Sequence, residues 1–164
     1  VHDRGHRLEE VRKGFFALSQ LTLGANALVQ SVIPTVLTPE PGSAEEAELR
    51  QFHESYLAEL EYNCDYTVNV LSRIPGINIV APQGAMYGMV QIKVEDFKDI
   101  ESDVDFSNKL LNEESVFVLP GRCFGIKNFI RLVFAPPVAK LRQAYERIGR
   151  FCKNHLKPEV LASC

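Results

Sequence analysis

The stretch Leu119–Ala135, LPGRCFGIKNFIRLVFA, carries the strongest structural signal in the chain. Its second half, Phe129–Ala135, is a short run of large apolar and β-branched side chains, which predicts a buried strand. Pro120-Gly121 near the start of the stretch predicts a tight turn ahead of that strand. A single charged residue, Arg131, interrupts the apolar run.

Arg131 is unusual because a guanidinium inside a buried strand is costly unless it is paired, and the strand carries no acidic residue. Two environments would satisfy the charge of this side chain. It can lie at an exposed rim and reach water along its aliphatic stem. Alternatively, a ligand carboxylate can pair with it, since the planar guanidinium binds a carboxylate through two parallel hydrogen bonds. The residues alone do not distinguish between these two environments.

The sequence on either side of this stretch alternates β-branched runs with helical patterns, which predicts an α/β or α+β layer on a small sheet. Gly88, inside one of the runs, indicates a close backbone approach or a bulge, and Ser102 is placed to cap a helix. Residues 157–164 are predicted to form a frayed tail. The predicted strands cover 77–80, 85–93, 116–119 and 129–135, and the predicted helices cover 103–114 and a terminal segment that begins after Pro137.

The amino-terminal part of the chain has helical periodicity. Two helices, at 8–21 and 25–37, are predicted before the proline- and glycine-rich run 38–43. A capping-box pattern, serine followed three residues later by glutamate, then begins a helix that is predicted over 43–73. This helix would have about 30 residues and a length of roughly 45 Å, which is typical of a helix that connects two domains.

The composition excludes several classes of protein. Apolar residues make up 46% and charged residues 24% of the 164 positions, as in globular chains. The formal net charge of −3 offers no general basic surface for nucleic acid, and no apolar run is long enough to span a membrane. The four cysteines are widely spaced, which favours free thiols over a zinc site or a disulfide scaffold. The acidic run 95–103 does not match a calcium-binding loop, so a solvated loop without metal is expected.

Several short segments share their residues and spacing with one known family. They are Leu119–Gly125 with Asn128–Leu132, Ile74–Gly76 with Pro82–Tyr87, Ser115–Pro120, Arg147–Cys152, and Gly24–Gln30, in which Ala25 replaces the usual proline. Together they resemble the fold-type-I, pyridoxal-phosphate-dependent aminotransferases, and in particular the tyrosine aminotransferase branch. The resemblance covers nearly the whole chain.

The resemblance implies transfer of an amino group from tyrosine or another aromatic amino acid to a 2-oxo acid such as 2-oxoglutarate, with pyridoxal 5′-phosphate as cofactor. Arg131 matches the family's arginine that binds the substrate α-carboxylate. Tyr87 and Phe124 are candidate walls of this substrate pocket, with ordinary core packing as the alternative. The family is dimeric, and its active site lies at the subunit interface. The segment from Leu23 to Asn26 would then lie near the partner's cofactor phosphate, unless it is an ordinary turn between helices.

The lysine that binds the cofactor lies, in the family, in the motif S-K-x-x-x-x-P-G-x-R-x-G, which is absent from this sequence. Val1–Asp3 resembles the residues that follow that motif, so the chain is expected to begin just after it. The resemblance divides the chain into the end of the large cofactor-binding domain (1–42), a domain-connecting helix (43–74) and the small C-terminal α/β domain (75–164). No catalytic residue is assigned within the chain, and the chain alone is expected to be inactive.

The sequence leaves two other interpretations open. The chain can be a non-catalytic module that binds a partner, or part of a kynurenine- or alanine-type aminotransferase, because most residues that recognise the substrate side chain would lie upstream. The expected ligands are amino acids and 2-oxo acids, and the expected macromolecular partner is a second copy of the parent enzyme, with neither nucleic acid nor membrane. The expected location is the cytoplasm, with the mitochondrion as the alternative.

Overall fold

A computed structural model describes residues 8–21 and 24–162. The predictions made for Val1–Asp3 and for Leu23 lie outside these described residues. The described part contains six α-helices, four β-strands and two short 3₁₀ helices, Val94–Asp96 and Gly121–Phe124. The α-helices are α1 (Glu9–Ser19), α2 (Ala27–Leu37), α3 (Ala44–Leu71), α4 (Asp103–Glu114), α5 (Val138–His155) and α6 (Pro158–Leu161). The strands are β1 (Ile77–Val80), β2 (Tyr87–Ile92), β3 (Leu119–Pro120) and β4 (Phe129–Val133).

The chain divides into two compact units, Val1–Phe52 and His53–Cys164, and the division falls within α3. In the first unit, the helices predicted at 8–21 and 25–37 are confirmed as α1 and α2, and all their residues are exposed. None of the described helices combines the length and the apolar character that crossing a lipid bilayer requires. The exposed apolar side chains of α2 form one strip, which consists of Leu28, Val29, Val32, Ile33, Val36 and Leu37.

The long helix α3 begins with the predicted capping pattern. The Ser43 hydroxyl accepts a hydrogen bond from the backbone N–H of Glu46 at 3.1 Å, and the Glu46 carboxylate accepts one from the N–H of Gly42 at 2.7 Å. These bonds satisfy donors that a helix start leaves unpaired. The helix runs for 28 residues, which confirms its predicted existence and approximate extent.

The buried side of α3 includes two polar residues. Asn63 and Thr67 are buried along with the apolar Leu71. The Thr67 hydroxyl donates to the backbone carbonyl of Asn63 at 2.6 Å and shares a 2.7 Å hydrogen bond with the hydroxyl of Tyr145 on α5. Burial raises the pKa of Tyr145 to about 12, so its hydroxyl keeps the proton and links the two helices near neutral pH.

The four strands form one antiparallel sheet in the order β1-β2-β4-β3. In its register Ile79 pairs with Val90, and Val90 pairs with Ile130, so a row of buried apolar side chains crosses three strands. Successive residues of a strand point to opposite faces. Met89 and its partner Arg131 therefore lie on the other side, which we call the open face.

The core joins the buried face of the sheet to α3, α4 and α5. Phe106 of α4 is completely buried, and its ring makes edge-to-face contacts with Phe97 and Phe151, with centroids 5.8 and 5.1 Å away. Gly88 is buried, and a Cβ there would lie 3.2 Å from the Pro82 ring, in agreement with the predicted close approach. The terminal helix α5 buries Leu141, Tyr145, Ile148 and Cys152 along one face, as their spacing of three or four residues indicates.

The prediction of a strand over 116–119 is wrong, because strand pairing is confined to Leu119–Pro120. Val116 and Val118 are buried, as the apolar run predicted, but they contribute packing rather than strand hydrogen bonds. Ser115 ends α4 in the left-handed conformation, with φ of 54°. After this turn the chain enters the core directly. Val116 and Val118 are therefore buried by side-chain packing without strand pairing.

The prediction of a frayed tail over 157–164 is also wrong for its described part. The backbone N–H of Lys157 donates to the carbonyl of Asp96 at 2.9 Å, and its ammonium donates to the carbonyl of Glu95 at 2.7 Å. Leu156 is buried, and the short helix α6 follows. These backbone contacts hold the segment against the 3₁₀ turn, and residue composition does not reveal them.

His155, at the end of α5, is held between two carboxylates. Its Nδ1 lies 2.9 Å from the Asp99 carboxylate, and its Nε2 lies 2.8 Å from that of Glu113. Burial lowers the pKa of His155, but its hydrogen bonds with Glu113 and Asp99 outweigh burial and raise the pKa above its ordinary value of 6.5. Protonated histidine donates from both ring nitrogens, so this arrangement favours the charged form.

The free energy of unfolding should therefore depend on pH through His155. A raised pKa in the folded state stabilises the fold below pH 6.5, and this contribution is lost as pH rises through the folded-state pKa. Urea unfolding across this range should show a loss of about 1 kcal/mol, since both carboxylates are partly exposed. His155→Gln should remove most of this pH dependence, whereas His53→Gln in α3 should retain it. Equal pH profiles for His155→Gln and the unmodified chain would contradict this role.

Candidate substrate-carboxylate site

Arg131 lies on an internal strand of the sheet. It sits on β4 opposite Met89 of β2 and Leu119 of β3. Its neighbours Ile130 and Leu132 point into the core and are almost completely buried. This alternation directs the Arg131 side chain to the open face, where the core offers no partner for its charge.

The Arg131 guanidinium lies over two aromatic rings. Its Cζ is 4.7 Å from the ring centroid of Tyr87 and 4.3 Å from that of Phe124. Both distances fall within the range of about 6 Å in which a cation is attracted to an aromatic face. Tyr87 and Phe124 remain 43% and 42% exposed, so neither is a core residue. The structure thus brings together the three residues that were singled out as a substrate site.

The Arg131 side chain is only partly exposed, and its Nε atom is buried without a hydrogen-bond partner among the described residues. No carboxylate in the described ranges 8–21 and 24–162 forms an ion pair with its guanidinium. The rings stabilise the cation without using its N–H donors. The arrangement can therefore bind an anion that comes from outside the chain.

Phe124 reaches the guanidinium from a tightly closed loop. A Cβ on Gly121 would lie 2.5 Å from the carbonyl oxygen of Ile126, so glycine is required there. The N–H of Ile126 donates to the carbonyl of Gly121 at 3.0 Å. Gly125, with φ of 76°, reverses the chain after Phe124. The turn predicted at Pro120-Gly121 is confirmed, and its geometry places an aromatic ring on the open face.

Arg131 also lines a cavity of about 560 Å³ between β4, α5 and the segment 115–119. Most of its walls are apolar, and its charged lining side chains, Arg131, Lys140 and Arg147, are all basic. A volume of this size is typical of small-molecule sites. Apolar walls with basic groups suit a small anion that has an apolar side chain.

Some described residues of the types that could contact pyridoxal phosphate have hydrogen-bond partners within the chain. Asn26, the residue suggested near a cofactor phosphate, begins α2 and accepts hydrogen bonds from the N–H groups of Leu28 (2.9 Å) and Val29 (3.3 Å). These donors are thereby occupied within the helix. Lys109 and Lys157 are bound to carboxylate or carbonyl oxygens. The role suggested for Asn26 stays a prediction.

Two carboxylates of the acidic run 95–103 form hydrogen bonds with other parts of the fold. Asp99 binds His155, and Asp103 is buried, so the expectation of a solvated loop is wrong at this residue. Within the part of the chain that the structure describes, no three histidine, cysteine or acidic side chains are grouped to hold a metal ion. Cys64, Cys123 and Cys152 are free thiols, and burial raises the pKa of Cys152 to about 12.

Asp103 contacts the loop that carries Phe124, which the sequence pattern did not reveal. Its carboxylate accepts hydrogen bonds from the backbone N–H groups of Arg122 at 2.8 Å and Asn128 at 3.4 Å. The sequence indicated only the position of Asp103 on its helix: Ser102 caps α4, as predicted, and so places Asp103 at the first helical position. The partners are 19 and 25 residues away in sequence, a separation that local patterns do not encode.

Comparison with protein families identifies the relatives of the chain. Residues 11–148 match the family described as aminotransferase class I and II. Over 159 residues, the chain is 39% identical to tyrosine aminotransferase of Dictyostelium discoideum, which covers 96% of this chain and 37% of that protein. The chain therefore spans about a third of the length of this relative.

Solved structures give the same result. Tyrosine aminotransferase of Leishmania infantum matches with a TM-score of 0.71 and 33% identity, over 94% of this chain and 36% of that one. Alanine aminotransferase of Pyrococcus furiosus matches with a TM-score of 0.68 and 29% identity, over 93% of this chain and 36% of that one. The α/β fold thus resembles that of these aminotransferases.

Proposed function

Because this chain belongs to the class I and II aminotransferase family, we propose that it is the C-terminal portion of an enzyme that transfers the amino group of tyrosine or another aromatic amino acid to a 2-oxo acid such as 2-oxoglutarate. The relatives named as tyrosine aminotransferases support this substrate class. In this proposal Arg131 binds the substrate α-carboxylate, and Tyr87 and Phe124 form the walls around it. The parent enzyme supplies the remaining residues.

One observation carries the proposal: the Arg131 guanidinium lies over the rings of Tyr87 and Phe124, at 4.7 and 4.3 Å, without an ion-pair partner among the described carboxylates. The rings limit its movement while its charge stays available to a ligand. A carboxylate that pairs with both arms of the fork is fixed in position and in orientation. Orientation of the amino acid is what this chain contributes to the reaction.

The proposal includes the domain division implied by the sequence. Residues 1–42 would complete the large cofactor-binding domain, 43–74 would connect the domains, and 75–164 would form the small domain. The exposed apolar strip of α2 supports burial of that helix in the parent. Pyridoxal phosphate, an electron sink for amino-group transfer, would be held mainly by the large domain. Inactivity of the chain alone, a homodimeric parent and a cytoplasmic location also stay predictions.

A carboxylate titration of this chain tests the proposed role of Arg131. We expect 3-phenylpropionate to shift the Arg131 Nε–H resonance in ¹H–¹⁵N NMR spectra, because its carboxylate can pair with the guanidinium. The neutral 3-phenylpropionamide, of nearly the same shape, should leave that resonance in place. Equal shifts with both compounds, or none with either, would refute carboxylate recognition at Arg131.

The similarity to alanine aminotransferase of Pyrococcus furiosus favours a second candidate substrate class. An alanine- or kynurenine-type parent would retain the same carboxylate site, since that site does not contact the substrate side chain in this proposal. The ratio of kcat/KM for tyrosine to that for alanine and kynurenine, measured on the complete enzyme, distinguishes these candidates.

A further inference from the structure

Asp103 is a buried acidic residue whose side chain contacts backbone rather than a cation. It is 1% exposed, and none of the ion pairs among the described residues includes it. Its Oδ2 accepts from the N–H of Arg122 at 2.8 Å, and its Oδ1 accepts from the N–H of Asn128 at 3.4 Å. A buried carboxylate is tolerated when hydrogen bonds replace its hydration.

The two amides stand near the two ends of the loop 121–128, which carries Phe124. At its far end, Asn128 has φ of 59°, a left-handed conformation that non-glycine residues adopt at some cost. The Asn128 carbonyl accepts from the N–H of Ile92 at 2.8 Å, which attaches that end to β2. The Asp103 carboxylate therefore joins both ends of the loop to the first turn of α4.

We propose that Asp103 is a positioning residue for substrate recognition: by holding both ends of the loop, it keeps the Phe124 ring against the Arg131 guanidinium. The inference rests on the proposed function, in which Arg131 binds the substrate carboxylate. Without this clamp the loop can move, and one of the two rings that confine the guanidinium moves with it. Arg131 would keep its charge but lose its fixed orientation.

The chemistry of the clamp explains why a carboxylate is needed. Two backbone N–H groups converge on the side chain, and a carboxylate offers an acceptor oxygen to each. Asparagine has nearly the same shape but offers one acceptor oxygen, and its NH₂ group would face the second N–H donor. Asp103→Asn should therefore release one end of the loop while the core around α4 stays intact.

The first test uses the ligand-free chain. The Nε–H resonance of Arg131 should lie upfield in the ¹H dimension, since ring currents above two aromatic faces shield it. Asp103→Asn should lose much of this upfield displacement, and Phe124→Leu should lose a comparable part. Asp105→Asn is the matched control, because Asp105 also lies in the first turn of α4 but binds the N–H of Glu101 and the ammonium of Lys109 instead.

A second pair of variants changes the clamp without changing Asp103. Arg122→Pro removes one of the two N–H donors, at a position in the first turn of a 3₁₀ helix where proline is tolerated. Arg122→Ala removes the same exposed side chain but keeps the N–H. Arg122→Pro should reproduce the change seen for Asp103→Asn, and Arg122→Ala should not. This pair decides the question even if Asp103→Asn fails to fold.

The functional consequence is measured by titration with 3-phenylpropionate. Asp103→Asn and Arg122→Pro should raise its Kd by about tenfold, as expected from loss of one hydrogen bond to a charged group. Asp105→Asn and Arg122→Ala should stay within about twofold of the unmodified chain. If the unmodified chain binds no carboxylate at Arg131, the proposed function fails. If carboxylate binds but folded Asp103→Asn and Arg122→Pro leave both the resonance and the Kd unchanged, Asp103 has no positioning role.

Discussion

Replacing Arg131 with lysine should lower kcat/KM for amino acid substrates by about two orders of magnitude in the complete aminotransferase that we propose as the parent. Each charge-assisted hydrogen bond from the guanidinium to the substrate carboxylate is worth about 1.5–3 kcal/mol. Lysine keeps the charge but loses the planar two-point contact. Arg131→Ala loses both and should lower kcat/KM further. Steady-state kinetics with tyrosine and 2-oxoglutarate measure the effect.

The controls separate substrate recognition from folding. Substrate KM should rise, while amines without a carboxylate should be least affected, because they do not use the guanidinium. Affinity for pyridoxal phosphate should change little in this proposal, since its contacts lie elsewhere. Arg142→Lys, on the exposed side of α5, changes arginine to lysine away from the site and should leave kinetics intact. If Arg131→Ala lowers thermal stability but leaves amino acid KM unchanged, Arg131 is a structural residue.

The elements of the fold that could be predicted are those with a local cause. Ser102 predicted the start of α4, and helical spacing of three or four residues indicated the buried face of α5, because capping and periodicity are properties of neighbouring residues. Apolar runs gave β1 and β4 for the same reason. The prediction of a strand over 116–119 was wrong because buried segments and paired strands have the same pattern of apolar residues. Only the path of the chain after Ser115 distinguishes them.

The candidate site could also be predicted only where neighbouring residues determine it. Arg131 was identifiable because a charge in an apolar strand is conspicuous, and the resemblance added Tyr87 and Phe124. The contact between these side chains depends on the register of β2 against β4 and on the closure of the loop 121–128. The roles of Asp103 and Thr67 depend on partners that are 19 or more residues away. Such pairings are set by the assembled core rather than by spacing.

Truncating Phe106 should have the largest effect on stability. This side chain of α4 is completely buried and meets Phe97 and Phe151 edge to face. Phe106→Ala removes these contacts and leaves a cavity, so the free energy of unfolding should fall by about 3–5 kcal/mol. That loss is comparable with the whole stability of many domains. Urea unfolding followed by circular dichroism measures this loss. Phe106→Leu refills part of the cavity, so its free energy of unfolding should lie between those of the unmodified chain and Phe106→Ala.

The matched control is Phe117→Ala, which removes the same ring from a side chain that is 69% exposed. Its effect should stay within about 0.5 kcal/mol, because surface truncations cost little. The contrast also bears on the site, since Asp103 lies one helical turn before Phe106 on α4. Loss of the core anchor should loosen that turn, and the Arg131 Nε–H resonance of Phe106→Leu should then move in the same direction as in Asp103→Asn. Similar unfolding midpoints for Phe106→Ala and Phe117→Ala would show that α4 is not anchored through this ring.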